Sequence, residues 1–149
     1  MTGTAAALGA AAFTLSACTD NGTAEAAAEV DQLTAQAERA RSDAAAATAA
    51  IALAPDKSTS LTTISAERTA HALELDAEIA RAAGGSATTT ASPSTSAVNA
   101  PTGVDTLSTS LADSARSAAD LARTMSGYRA GLLGSISASC STQVAVLLP

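Results

Sequence analysis

The sequence has few of the large side chains that usually fill a protein core. Tryptophan is absent, and phenylalanine and tyrosine occur once each, as Phe13 and Tyr128. Residues rich in ring surface are what single-stranded nucleic acid stacks on, so their scarcity removes that class of partner. Positive charge is also thin. Eight Lys and Arg stand against fourteen Asp and Glu, a net charge of −6, and the basic residues are dispersed along the chain. Phosphate backbones are held by clustered cations, so no nucleic acid is expected as a partner. A single histidine, His71, and two cysteines, Cys18 and Cys140, are too few for a structural zinc site, which takes four N or S ligands.

Hydrophobic residues still make up 47% of the chain, and most of them are alanine. Alanine is the best helix former, and its effect accumulates over long windows. It buries little area, whereas burying a Leu or Ile stabilises by roughly 1.5–3 kcal/mol. Runs alternating Val, Ile, Thr and aromatics, which would mark strands, do not occur. The sequence therefore predicts an all-α chain with a closely packed, modestly stable core.

Residues 4–17 read TAAALGAAAFTLSA and carry no charge; the first charged residue is Asp20. This run is too short to span a bilayer, which needs about 20 apolar residues, but it suits the apolar region of a signal peptide. It ends in Leu15-Ser16-Ala17-Cys18, directly before the polar stretch Thr19-Asp20-Asn21-Gly22-Thr23. That ending resembles the lipobox of bacterial lipoproteins. The resemblance implies cleavage between Ala17 and Cys18, thioether lipidation of Cys18 with palmitate-type acyl chains, and residence on the extracytoplasmic face of the cell membrane. The leading residues Met1-Thr2-Gly3-Thr4 lack the usual Lys or Arg, and we expect a basic stretch upstream of them. On this reading 1–17 is a signal peptide, 18–22 a tether and 23–149 a helical domain. Cys140 is then an unpaired thiol. With the leader retained, a Cys18–Cys140 disulfide would compete.

Four helical segments are expected in the remainder. The first runs from about Thr23 to Leu53, its stripe passing through Val30, Leu33, Ala37, Ala40, Ala44, Ala47, Ile51 and Leu53. Pro55-Asp56 breaks it, with Asp56 expected to cap the next helix. In the second, Leu61, Ile64, Arg68, His71, Leu75, Ile79 and Ala82 share one face. Gly84-Gly85 ends it. The uncharged Ser/Thr/Ala/Pro/Gly tract 84–102 reads as a flexible crossover that proteases should cut first. The third stripe is Val104, Leu107, Leu111, Ser114, Ala118, Leu121, Met125 and Tyr128, opened by Thr102 and Asp105 in a near-capping box. Ser126-Gly127 interrupts it, and the last segment carries Leu132, Leu133, Ile136, Cys140, Val144 and Leu147. Four amphipathic stripes joined by turns predict a four-helix bundle of two hairpins, 23–83 and 103–148.

Motifs that carry chemistry are sparse. His71 has Glu67, Glu74 and Glu78 at helical spacing, a geometry that invites a metal or acid–base site. Ferritin-like di-iron bundles need a Glu-x-x-His on each of two helices, and the residue three before His71 is Arg68. A partly exposed His71 in a helical charge ladder with Arg68 and Arg81 is the favoured reading. There is no Gly-x-Ser-x-Gly for a nucleophilic serine. Gly131-Leu-Leu-Gly134 lacks the lysine of a phosphate loop and suggests close helix packing. Cys140 has no basic neighbour in sequence to activate it. No catalytic, metal or cofactor-binding residue is expected.

From Cys18 onward, the stretches Glu67-Arg-Thr-Ala-His71, Glu78-Ile-Ala-Arg-Ala-Ala-Gly84, Ser114-Ala-Arg-Ser-Ala-Ala-Asp-Leu-Ala122 and Gly127-Tyr-Arg-Ala-Gly-Leu-Leu-Gly-Ser135 resemble alanine-rich lipoproteins of actinobacteria to which no function is assigned. The resemblance implies a cell-envelope location and supplies no activity. Two functional expectations follow. The favoured one is a non-catalytic envelope lipoprotein presenting a helical surface to an envelope partner. The alternative is a small ferritin-like or other metal-dependent enzyme built from Glu67, His71 and Glu74, with Glu38 as a further carboxylate.

Overall fold

The computed structural model describes residues 19–84 and 103–149, with side chains from residue 22. The expected signal peptide 1–17, the lipidation site Cys18, Thr102 and nearly all of the expected crossover lie outside these residues. The described chain is all-α, with four helices and no strand. These are α1 (Thr19–Ala50), α2 (Ser58–Ala82), α3 (Val104–Ala122) and α4 (Gly127–Thr142).

Cross-helix hydrogen bonds fix the directions. Thr48 meets Ser65 and Arg41 meets Asp76, so α2 runs antiparallel to α1. Gln36 meets Ser117 and Asp43 meets Ser110, so α3 is also antiparallel to α1. Glu67 meets Gln143, just past α4, and Glu78 meets Arg129, so α4 is antiparallel to α2. Helices α2 and α3 therefore point the same way. Gly84 and Gly103, the ends flanking the expected crossover, sit at opposite ends of the helical array.

Packing follows the side chains available. Ala37, Ala40, Ala47 and Ala50 are fully buried on α1, and their small size lets α2 and α3 approach closely. Two apolar clusters result. One joins Leu33, Leu75, Ala118, Met125, Leu133 and Ile136 toward the N-terminal end of α1. The other joins Ala47, Leu61, Ile64, Leu107, Leu111 and Leu148 at the opposite end. Contact between α2 and α4 is looser at the backbone and is made by long polar side chains reaching across.

The helix boundaries correct several expectations. Helix α1 starts at Thr19, inside the stretch read as a tether, and residues 22–28 are all exposed. Glu29, which follows them, bonds Arg129 of α4. The helix ends at Ala50, leaving Leu53 56% exposed rather than on the buried stripe. Asp56 does not cap α2. Proline fixes the φ of Pro55 and opens a 3-10 turn, Pro55–Lys57, so Lys57 occupies the cap without a side-chain bond. Gly103, not Thr102, holds the cap position of α3, also without a side-chain bond.

Ser126-Gly127 breaks the third segment outright. Helix α3 closes at Ala122, and Gly127 takes a positive φ of 57°, a conformation glycine adopts without a Cβ clash. The register restarts there, which places Tyr128 on α4 at 59% exposure and off the expected stripe. Helix α4 passes into a wider π turn, Gln143–Leu147. Together Gly127–Leu147 is long and apolar enough to cross a membrane by length and composition. Its Leu133, Ile136 and Cys140 are buried against the other helices.

Candidate functional site

Between the two apolar clusters lies a buried polar layer. Asp43 of α1 and Arg68 of α2 face each other with side chains only 2% and 1% exposed. Each sits on its helix's apolar stripe, Asp43 three residues after Ala40 and four before Ala47. A buried charge is costly unless it is paired and hydrogen-bonded, and here every helix contributes to the pairing. Arg68 donates from Nη2 to Oδ2 of Asp43 at 2.9 Å. The remaining carboxylate capacity of Asp43 accepts Ser110 Oγ at 2.6 Å and Ser114 Oγ at 2.8 Å, both from α3.

The other guanidinium edge faces α4. Nη1 of Arg68 lies 3.2 Å from Nδ1 of His71 and 3.2 Å from Sγ of Cys140. Arginine has donors only, so the bond requires a neutral His71 with its proton on Nε2. Nε of Arg68 is buried and has no partner. Burial, and next the Arg68 charge, push the His71 pKa below its ordinary value, while Glu67 opposes them weakly. Burial raises the Cys140 pKa and outweighs the opposing Arg68 charge, so the group stays a thiol.

Two exposed-edge networks flank this layer. On one side Glu67 accepts Gln143 Nε2 at 2.6 Å and Ser139 Oγ at 3.3 Å. On the other, Glu78, with a side chain 7% exposed, accepts Arg81 Nε at 2.7 Å and Arg129 Nε at 2.8 Å. Arg129 reaches on to Glu29 of α1, and Arg81 lies over the Tyr128 ring at 5.3 Å. Burial raises the Glu78 pKa, but the hydrogen bonds and charges of Arg129 and Arg81 outweigh it and leave it lowered.

Of the expected charge ladder, His71 is half-buried, while Arg68 lies wholly in the core and pairs with Asp43 of α1 rather than along its own helix. Nor are the residues of the alternative metal site brought together. Glu67 turns to α4, Glu74 is exposed, Glu78 is held by two arginines, and Glu38 pairs with Arg41 at 3.1 Å. Among the described residues no group of three His, Cys, Asp or Glu is placed to share a metal ion. Cys140 does have a basic neighbour, Arg68, supplied by another helix. Gly131 and Gly134 do not mediate close packing, since a Cβ at either position would meet nothing within 4 Å.

In chemical terms the layer is a structural lock with one donor, Nε of Arg68, left over. Ser110 and Ser114 donate to Asp43, and His71 is bonded to Arg68. A shallow groove lined by Asp105, Thr106, Thr109, Ser110 and Asp113 is open and formed by α3 alone. Sequence periodicity missed Asp43, Ser110 and Gln143 because none stands out as apolar. The usable signal was a pair of opposite charges, Asp43 and Arg68, each placed on an apolar stripe. No protein-family model matches this chain, and no curated protein and no solved structure matches it significantly.

Proposed function

We propose that this chain is a lipid-anchored cell-envelope protein, tethered through Cys18 on the extracytoplasmic face of the membrane, with a non-catalytic helical domain that binds or supports an envelope partner. The observation that carries this reading is the uncharged run of residues 4–17 ending in Leu15-Ser16-Ala17-Cys18. The same sequence signal assigns residues 1–17 to a signal peptide. We further infer that the four helices close into one bundle of two hairpins, related in kind to alanine-rich actinobacterial lipoproteins. Helix directions and the shared polar layer support the bundle. The exposed helical residues 22–28 would stand between the anchor and the packed domain as a short stalk.

The non-catalytic part rests on how the polar groups are spent. Asp43, Arg68, Ser110 and Ser114 bond one another in the core, so both serine hydroxyls are committed to a carboxylate that is already paired with Arg68. Lipobox chemistry attaches several acyl chains; one chain binds membranes marginally, whereas two or more hold a protein there. Cells fed a clickable fatty acid should therefore tag the protein, and Cys18→Ala should abolish both the tag and its recovery with membranes. Equal tagging of the variant would overturn the assignment.

A further inference from the structure

Arg68 is 1% exposed, yet its Nε–H has no hydrogen-bond partner among the described residues. Buried N–H groups are nearly always bonded to protein or to ordered water, because one left unbonded loses its hydration and gains nothing for it. Covalent geometry gives the direction of this N–H. The guanidinium is planar, and Nε–H shares an edge with Nη2, the nitrogen that donates to Asp43 Oδ2 at 2.9 Å. Arginine and a carboxylate frequently close such an edge as a two-bonded fork, with the second oxygen on the second nitrogen. Here Ser110 donates to that second oxygen, Oδ1, at 2.6 Å, and Nε is left aside.

The carboxylate also keeps spare capacity. Ionised, it offers about four acceptor sites. Arg68, Ser110 and Ser114 use three of them. A spare donor and a spare acceptor site therefore belong to one ion pair. We propose that an internal water molecule completes this pair: its oxygen accepts the Nε–H of Arg68, and one of its hydrogens is donated to Asp43.

The surrounding residues suit a molecule of that size. Ala40, Ala46 and Ala47 stand one turn to either side of Asp43, and Ala72 stands one turn beyond Arg68, all of them buried. Their methyl groups reach less far than the leucines of the two apolar clusters, so they leave space beside the guanidinium that a leucine would fill. Internal waters occupy sites lined by polar partners, whereas apolar cavities stay dry, and this layer has a full ion pair for a wall. The other buried side-chain atom without a partner, Oε1 of Gln143, belongs to the network of Glu67. A test must therefore read Arg68 itself.

The Nε–H resonance of Arg68 in the unaltered, nitrogen-15-labelled protein does so. That proton should exchange more slowly than those of the exposed arginines. It should also show a direct cross-peak to water, with nuclear and rotating-frame Overhauser effects of opposite sign, as for a water that tumbles with the protein. A high-resolution crystal structure should place a water within hydrogen-bond distance of both Nε and the Asp43 carboxylate. Oxygen-17 relaxation dispersion should count one long-lived water fewer in the Asp43→Leu, Arg68→Met double variant than in the parent. An Nε–H whose cross-peaks reach only protein protons, an Asp43 oxygen bonded directly to Nε, or equal counts in the two proteins would overturn the proposal. If the double variant does not fold, the resonance and the crystal structure of the unaltered protein decide.

Discussion

Truncating Asp43 to alanine tests the polar layer most severely. The substitution removes three hydrogen bonds at once: Arg68 at 2.9 Å, Ser110 at 2.6 Å and Ser114 at 2.8 Å. The serine losses are partly recoverable, since a helical hydroxyl can turn to the carbonyl of the preceding turn. The guanidinium has no such option. It is 1% exposed, and after truncation it keeps only an imidazole and a thiol as acceptors. Leaving one partner of a buried pair uncompensated costs about 3–5 kcal/mol. Domains are typically stable by about 5–15 kcal/mol, so Asp43→Ala should remove a large part of the total. Removing both charges is a different perturbation. Asp43→Leu combined with Arg68→Met replaces the pair by apolar groups and also deletes the orphaned Nε, and such exchanges are often neutral or stabilising. Urea denaturation followed by circular dichroism should place the double variant at least about 2 kcal/mol above the sum of its singles. Additive losses, or an Asp43→Ala variant within about 1 kcal/mol of the parent, would refute the claim that the two charges hold each other in the core.

The helices themselves were legible because alanine propensity and the 3-4 spacing of Leu61, Ile64, Leu75, Leu107 and Leu111 act locally. The breaks at Pro55, Gly84 and Ser126-Gly127 were legible for the same reason. What failed was anything requiring knowledge of the opposite helix. Asp43 and Arg68 occupy stripe positions, yet each read singly is a polar residue, and only the facing partner makes it a core residue. Cys140 looked free of basic neighbours because Arg68 is 72 residues away in sequence. Gly131 and Gly134 suggested a close helix contact, but α4 buries Leu133, Ile136 and Cys140, which turns both glycines to the open side. In an alanine-rich core, many registers bury nearly the same area. A single charge pair with three fixed acceptor bonds then discriminates among them more sharply than the apolar stripes do.

Two further outcomes are expected. Gly131→Ala and Gly134→Ala should each stabilise the protein by about 0.5–1 kcal/mol, because a mid-helix glycine has excess freedom to lose and nothing lies within 4 Å of the added methyl. Gly127→Ala should do the reverse by about 1–2 kcal/mol, since its φ of 57° disfavours a Cβ; thermal unfolding of the three variants separates them by sign. The other outcome concerns Glu78, which links α2 to α4 through Arg129 and, through the same arginine, to Glu29 on α1. Its carboxylate is buried at 7% exposure yet titrates below its ordinary value of 4.5, because Arg129 and Arg81 together outweigh burial. A depressed acid stabilises the fold above its unfolded pKa and loses that contribution as pH falls through the folded one. The window therefore opens below pH 4.5. Other carboxylates titrate in the same range, so the informative quantity is a difference between proteins. Glu78→Gln should be less stable than the parent at pH 7, and the gap in melting temperature should close as pH drops from 4.5 toward 2. A gap that stays constant over that range would mean that Glu78 has no ionised role in holding α4 to the rest of the molecule.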